Sequence, residues 1–250
     1  MTTAPEQGYL DVGGVRTWHD VRGSGEPLVL LHGGMCTADT FDGLADLLAP
    51  SYRVHRPERR GHGRTPDVPG PLTYHVMADD TVAYLETTKI GPAHVVGWSD
   101  GAIVGLLAAL ARPELVRSLT FVGAALTEEG FPEEMRPLPP QLPVEALPPF
   151  LRDLYGAVSP DGPEHFDEVF AKLSPSWTAM PIVELDALAE LDVPTLVVAA
   201  EQDMCTAEHA AAIAAALPRG RSVVVPGDHA LPMEQPAVVA ELVTDFLGSL

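Results

Sequence analysis

Val95-Val96-Gly97-Trp98-Ser99-Asp100-Gly101 reads as the end of a buried strand, a sharp turn and the start of a helix. Residues 93–96 are short and mostly apolar, broken only by His94, and 102–111 (AIVGLLAALA) is a long apolar run, mostly of good helix formers. That run stops at Arg112-Pro113, because proline cannot continue a helix. Between the two elements lies Gly-x-Ser-x-Gly. A strand passing straight into a helix forces the turn residue into strained backbone angles, and small residues at 97 and 101 let strand and helix pass closely. The turn lifts the Ser99 hydroxyl off the sheet edge with a helix N-terminus beneath it, a placement that favours a developing negative charge. The pentapeptide alone is short, and Ser99 could be no more than a helix cap. The strand before it and the helix after it favour a chemical role.

Outward from this turn, strands and helices alternate. Strands are expected at 9–12, 15–19, 28–31, 52–55, 93–96, 119–122, 195–200 and 222–225, the first two joined by Gly13-Gly14 as a hairpin. Helices are expected at 40–48, 74–89, 101–111, 207–217 and 238–247. From 124 to 191 the pattern changes: prolines crowd 132–149, no central strand is evident, and 147–158, 164–173 and 183–191 read as short helices. The expected fold is therefore α/β, a mostly parallel eight-stranded sheet with helices on both faces and a helical segment inserted after the sixth strand. Residues 1–123 and 192–250 would form the core and 124–191 the insertion, within a single domain overall. In such sheets functional groups gather where strands end at their carboxyl edges. His32-Gly33-Gly34, Ser99, Asp203 and His229 all fall just after expected strands.

Composition narrows the partners. A formal charge of −20 over 250 residues, with a pI near 4.6, argues against nucleic acid and against anionic membranes. No run reaches the roughly 18 apolar residues that span a bilayer. The N-terminal stretch MTTAPEQGYLDVGG has no basic region followed by an apolar core, so no signal peptide is evident and a cytoplasmic location is expected. Cys36 and Cys205 are expected to be reduced thiols, and neither belongs to a Cys-x-x-Cys pair. No metal-ligand spacing links the histidines, and no Gly-x-Gly-x-x-Gly or phosphate loop is present. No cofactor and no metal are expected; the partner is a small-molecule substrate, with monomer or homodimer left open.

HGG at 32–34, RRGHGRT at 59–65, GWSDG at 97–101, EQD at 201–203 after a strand, and PGDHAL at 226–231 together resemble the α/β-hydrolase fold superfamily along nearly the whole chain. That family orders its triad as serine, acid, histidine, and the resemblance carries those roles onto Ser99, Asp203 and His229. Glu201 and Asp228 rival Asp203 by position. The resemblance further implies an oxyanion hole from the backbone N–H groups of Gly34 and Asp100, with His32 and His62 as structural hydrogen-bonders. Residues 124–191 would then be a lid. Phe150, Leu154, Tyr155 and Trp177 within it, with Met35, Trp98 and Asp100 nearer the turn, are candidates to meet substrate, although for most of the lid residues packing onto the body is the plainer reading.

Two positions depart from many relatives. Asp100 follows the serine where Met, Gln or Gly is common, and its side chain either turns into the scaffold or recognises a cationic group. Glu58 stands where Asp is more usual and is read as structural. The resemblance implies a serine hydrolase of small to medium carboxylic esters or lactones. A carbon–carbon bond hydrolase or a cofactor-free haloperoxidase-like perhydrolase would use the same groups. A ligand receptor that retains the triad is the alternative from outside catalysis. Relatives acting on epoxides or haloalkanes use Asp as nucleophile, where this chain has Ser99.

Overall fold

A computed structural model describes residues 6–136 and 142–250. The first five residues of the stretch read for a leader, and 137–141 within the inserted segment, lie outside it. The strands are β1 (Glu6–Val12), β2 (Val15–Arg22), β3 (Glu26–Leu31), β4 (Tyr52–Pro57), β5 (Ala93–Trp98), β6 (Val116–Val122), β7 (Thr195–Gln202) and β8 (Gly220–Asp228). They form one eight-stranded sheet in the order β1-β2-β4-β3-β5-β6-β7-β8. β1 and β2 are antiparallel to their neighbours, and every other pairing is parallel. β5 is buried at all six positions and β3 at its last four, as continuous apolar runs demand of strands covered on both faces.

The helices are α1 (Asp42–Leu48), α2 (Tyr74–Thr88), α3 (Asp100–Ala111), α4 (Pro149–Val158), α5 (Phe166–Thr178), α6 (Ala207–Ala216), α7 (Leu231–Glu234) and α8 (Pro236–Gly248). α1 packs against α8, and α2 against α3, so that the sheet is covered on both faces. Among the described residues no helix is long and apolar enough to cross a membrane.

Three expected elements differ. The helix read at 183–191 is a 3-10 turn over Leu185–Glu190. The helix read at 40–48 opens as a 3-10 turn, Ala38–Phe41, capped by the Thr37 hydroxyl. The helix read at 164–173 runs on to Thr178 through Pro175. Proline removes one intrahelical donor, and the turn that contains it is tied to the body by side chains: Ser176 Oγ donates to the Leu72 carbonyl (3.2 Å) and Trp177 Nε1 to Asp100 Oδ2 (2.9 Å).

Glu58, just after β4, is fully buried and holds the loop that follows. Its carboxylate accepts from Ala38 N–H (3.0 Å), Arg64 N–H (2.5 Å) and Arg64 Nη1 (2.8 Å). Burial pushes this carboxyl up to about 7 against the pull of those donors.

The tightest packing lies beneath the strand–turn–helix stretch. A Cβ on Gly101 would sit 1.9 Å from the Leu31 carbonyl oxygen and 2.6 Å from that of His32. α3 therefore crosses β3 at a distance only glycine permits. Gly101→Ala is expected to lower stability by about 3 kcal/mol or more, at the upper end of overpacking costs. Urea denaturation checks this, and a midpoint unchanged from the parent protein would contradict it.

Candidate active site

The carboxyl edge of the sheet gathers Ser99, Asp203 and His229. The Ser99 N–H donates to the Val122 carbonyl (2.9 Å), so the turn after β5 is tied to the end of β6. Ser99 has φ +55° and ψ −124°, strained for a residue with a Cβ. The register of β7 and β8 places Gln202 opposite Asp228, which makes the next residues, Asp203 and His229, neighbours.

His229 Nδ1 lies 2.7 Å from Asp203 Oδ1, and His229 Nε2 lies 3.1 Å from Ser99 Oγ. A carboxylate only accepts, so Nδ1 carries the imidazole proton and Nε2 is bare to accept from the Ser99 hydroxyl. The Asp203 side chain is 1% exposed and that of His229 28%, so the histidine reaches solvent while its partner does not. Asp203 also accepts from the Met204 N–H (2.8 Å), which fixes its rotamer. The two positional rivals stand elsewhere. Glu201 is exposed, and Asp228 Oδ1 caps the next turn by accepting from the Ala230 N–H (2.8 Å).

Gly34 and Asp100 meet across the site. A Cβ on Gly34 would lie 2.4 Å from Asp100 Oδ2 and 2.8 Å from Trp177 Cζ2. The Asp100 N–H is the first of α3, where helix geometry supplies no intrahelical acceptor. The Asp100 carboxylate is 4% exposed and both oxygens are occupied, Oδ1 by the Tyr74 hydroxyl and Oδ2 by Trp177 Nε1, each at 2.9 Å. Burial pushes this carboxyl above its usual range, while the Arg59 charge and the two donors pull it back. The side chain thus faces Tyr74 and Trp177 and not solvent.

The remaining candidates separate. Trp98 is buried, and its indole N–H donates to the His229 carbonyl (2.7 Å), so it braces the histidine from below. Met35 is buried with φ +56°. Leu154 is half-buried against the core. Tyr155 is 1% exposed and packs edge-on against Phe166 within the same segment. Phe150 is 42% exposed at the start of α4, because that helix turns its Leu151 and Tyr155 face inward and leaves residue 150 outside.

His32 is neutral and committed. Its Nε2 accepts from the Arg59 N–H (3.2 Å), so Nδ1 carries the proton and donates to the Gly33 carbonyl (2.8 Å). Burial lowers it well below the ordinary histidine range. His62 is likewise buried and pushed down to about 3. Cys36 and Cys205 are buried free thiols pushed up to about 12 by burial, so neither is poised as a thiolate.

Two contributors were not singled out in the sequence. A Cβ on Gly123 would lie 2.9 Å from Asp203 Oδ2 and 3.4 Å from His229 Nδ1, so glycine after β6 leaves room for that pair. Its signal was present as a glycine directly after a buried strand. Tyr74 carried none, since its role depends on a contact 26 residues away.

Comparison with known proteins gives a consistent picture. The model of the alpha/beta hydrolase family matches residues 28–242. The putative carbamate hydrolase RutD of Azorhizobium caulinodans is 28% identical over 97% of this chain and 98% of its own length. The pimeloyl-[acyl-carrier protein] methyl ester esterase of Xanthomonas campestris is 40% identical, over 42% of this chain and 39% of that protein. Among solved structures, the meta-cleavage product hydrolase CumD of Pseudomonas fluorescens IP01 superposes with a TM-score of 0.80 at 20% identity, covering 97% of each chain.

Asp100→Asn leaves one of the two donors facing an amide N–H₂. It is expected to cost about 1–3 kcal/mol of stability. Thermal and urea unfolding measure this, and an unchanged midpoint would contradict the bonding described.

Proposed function

The chain belongs to the alpha/beta hydrolase family, and on that premise we propose that it is a serine hydrolase cleaving small to medium carboxylic esters or lactones through an acyl-enzyme. One observation carries this reading: the continuous contact from Ser99 Oγ to His229 Nε2 (3.1 Å) and from His229 Nδ1 to Asp203 Oδ1 (2.7 Å), at the tip of a strained turn. An isolated serine hydroxyl is a poor nucleophile at neutral pH, and an adjacent base held in one tautomer removes that barrier.

In the proposed cycle Ser99 Oγ attacks the acyl carbon while its proton passes to His229 Nε2. The carbonyl π electrons move onto oxygen, where the N–H groups of Gly34 and Asp100 donate to the developing charge. Asp203 stabilises the imidazolium. Collapse breaks the bond to the leaving oxygen, which takes the proton from Nε2. Water then attacks the acyl-enzyme by the same route, giving up its proton to Nε2, and the acid departs as Ser99 recovers a proton. Each oxyanion donor is worth roughly 100- to 1000-fold in rate.

Residues 124–191 serve as a lid in this reading. Trp177 lies over Gly34, and Met35 follows it in sequence, so these two bound the acyl side. With both Asp100 oxygens occupied, the substrate needs no cationic group. The names of the relatives, an esterase and a carbamate hydrolase, describe acyl chemistry of the same kind and support the reading.

The test is stopped-flow hydrolysis of p-nitrophenyl acetate. A stoichiometric burst of p-nitrophenol is expected from the parent protein. Ser99→Ala is expected to abolish it and lower kcat by about 10⁴- to 10⁶-fold, and Asp203→Asn to lower kcat by about 10⁴-fold. No burst, together with tight binding of the uncleaved ester, would favour a receptor instead.

A further inference from the structure

Arg59 lies outside the Ser99–His229–Asp203 contact and has no part in the cycle above. Yet it is 4% exposed, one of two buried arginines among the described residues, and unlike Arg56, which pairs with Asp20 and Asp42, it has no carboxylate partner within ion-pair distance. The guanidinium is spent on one short stretch. Nη1 donates to the His32 carbonyl (2.5 Å) and Nη2 to the Gly33 carbonyl (3.0 Å), while the Arg59 backbone N–H donates to His32 Nε2 (3.2 Å). To keep this fork on the loop, the fold leaves the buried Arg59 Nε–H without a partner.

The consequence follows from peptide geometry. The Gly33 carbonyl and the Gly34 N–H belong to one peptide unit, planar and trans, so the two groups point in opposite directions. A donor that fixes the Gly33 oxygen on one side therefore aims the Gly34 N–H on the other. Glycine at 33 and 34 leaves this unit free to rotate as a whole unless something outside it holds the oxygen. The His32 Nδ1–H shares the same oxygen (2.8 Å), so neutral imidazole and guanidinium grip it together. A positive charge at the carbonyl end also polarises the peptide and strengthens its N–H as a donor. Burial draws the guanidinium down to about 10, which keeps it charged at neutral pH, and the Asp100 carboxylate across the loop helps hold that charge.

We infer that Arg59 is a positioning residue for acyl transfer: it aims the Gly34 N–H at the oxyanion by clamping the carbonyl behind it. This rests on the serine-hydrolase reading. It adds a residue that touches no substrate but acts on the transition state, where the oxyanion forms, and little on the bound ester.

The test uses the full-length protein, with Arg59→Lys, Arg59→Gln and Arg59→Met compared on p-nitrophenyl acetate and on phenylboronic acid, whose tetrahedral serine adduct places an oxygen in the oxyanion site. Arg59→Lys keeps the charge and loses the fork. It is expected to lower kcat by about 10- to 100-fold, a fraction of what deleting a donor costs, with KM within about threefold and boronate affinity falling in step with kcat. The shape of the kcat–pH profile is expected to stay the same, since the proton still moves through His229. Arg59→Met is expected to lose more. If it fails to fold, Arg59→Lys and Arg59→Gln carry the comparison, with melting temperature measured beside each. A folded Arg59→Lys with kcat and boronate affinity within twofold of the parent overturns the inference. So does a kcat loss with unchanged boronate affinity, which would mark Arg59 as mere scaffold. A parent protein that shows no burst removes the serine reading, and this inference with it; a normal burst with an unaffected Arg59→Lys removes the inference alone.

Discussion

The backbone of Gly101 passes so close to β3 that a Cβ there would meet the Leu31 oxygen at 1.9 Å, and this contact governs the geometry of the whole edge. With α3 pressed onto β3, the chain leaving β5 must reverse within one residue. Ser99 absorbs the reversal at φ +55°, a conformation that costs about 1–3 kcal/mol for a residue with a side chain. That strain persists because the surrounding elements over-determine it: the Ser99 N–H is held by Val122 and the helix begins at once at Asp100. The result is a hydroxyl that stands clear of the sheet above the first N–H groups of α3.

Charge placement completes the edge. The chain carries a formal charge of −20, yet the groups packed around Ser99 are chosen singly. Asp203 is buried against His229, Asp100 is buried under Tyr74 and Trp177, and the Arg59 guanidinium lies behind the Gly33 carbonyl. His32 and His62 are kept neutral by burial, so they add hydrogen bonds without adding charge. A low-dielectric setting makes each remaining charge count for more. The Trp177–Asp100 bond also joins α5 to the residue after Ser99, which links the inserted segment to the turn directly.

The sheet was legible because its strands announce themselves as buried apolar runs, and the parallel order follows from their alternation with helices. The places of Ser99, Asp203 and His229 after β5, β7 and β8 were legible for the same reason: each lies at a strand's carboxyl end. Side-chain direction was not. A strand's side chains alternate between faces, and only the structure shows that the Trp98 indole points toward the His229 carbonyl. Nor was the inward face of α4 legible, since an amphipathic helix has two faces: Leu151 and Tyr155 turn inward and Phe150 lies outside. The helix read at 164–173 continues past Pro175 to Thr178, where Ser176 and Trp177 bond to Leu72 and Asp100, partners far away in the sequence. Arg59 was legible only as the first residue of the RRGHGRT motif; its contact is with a carbonyl 26 residues away that no local pattern encodes.

The account stands on Ser99 being the one activated nucleophile of this molecule. Labelling the intact protein with a fluorophosphonate and mapping the adduct by mass spectrometry tests that most directly. A single adduct on Ser99, absent in Ser99→Ala and slowed when His229 is replaced by alanine, is the predicted result. An unlabelled protein, or an adduct on any other residue, would contradict it.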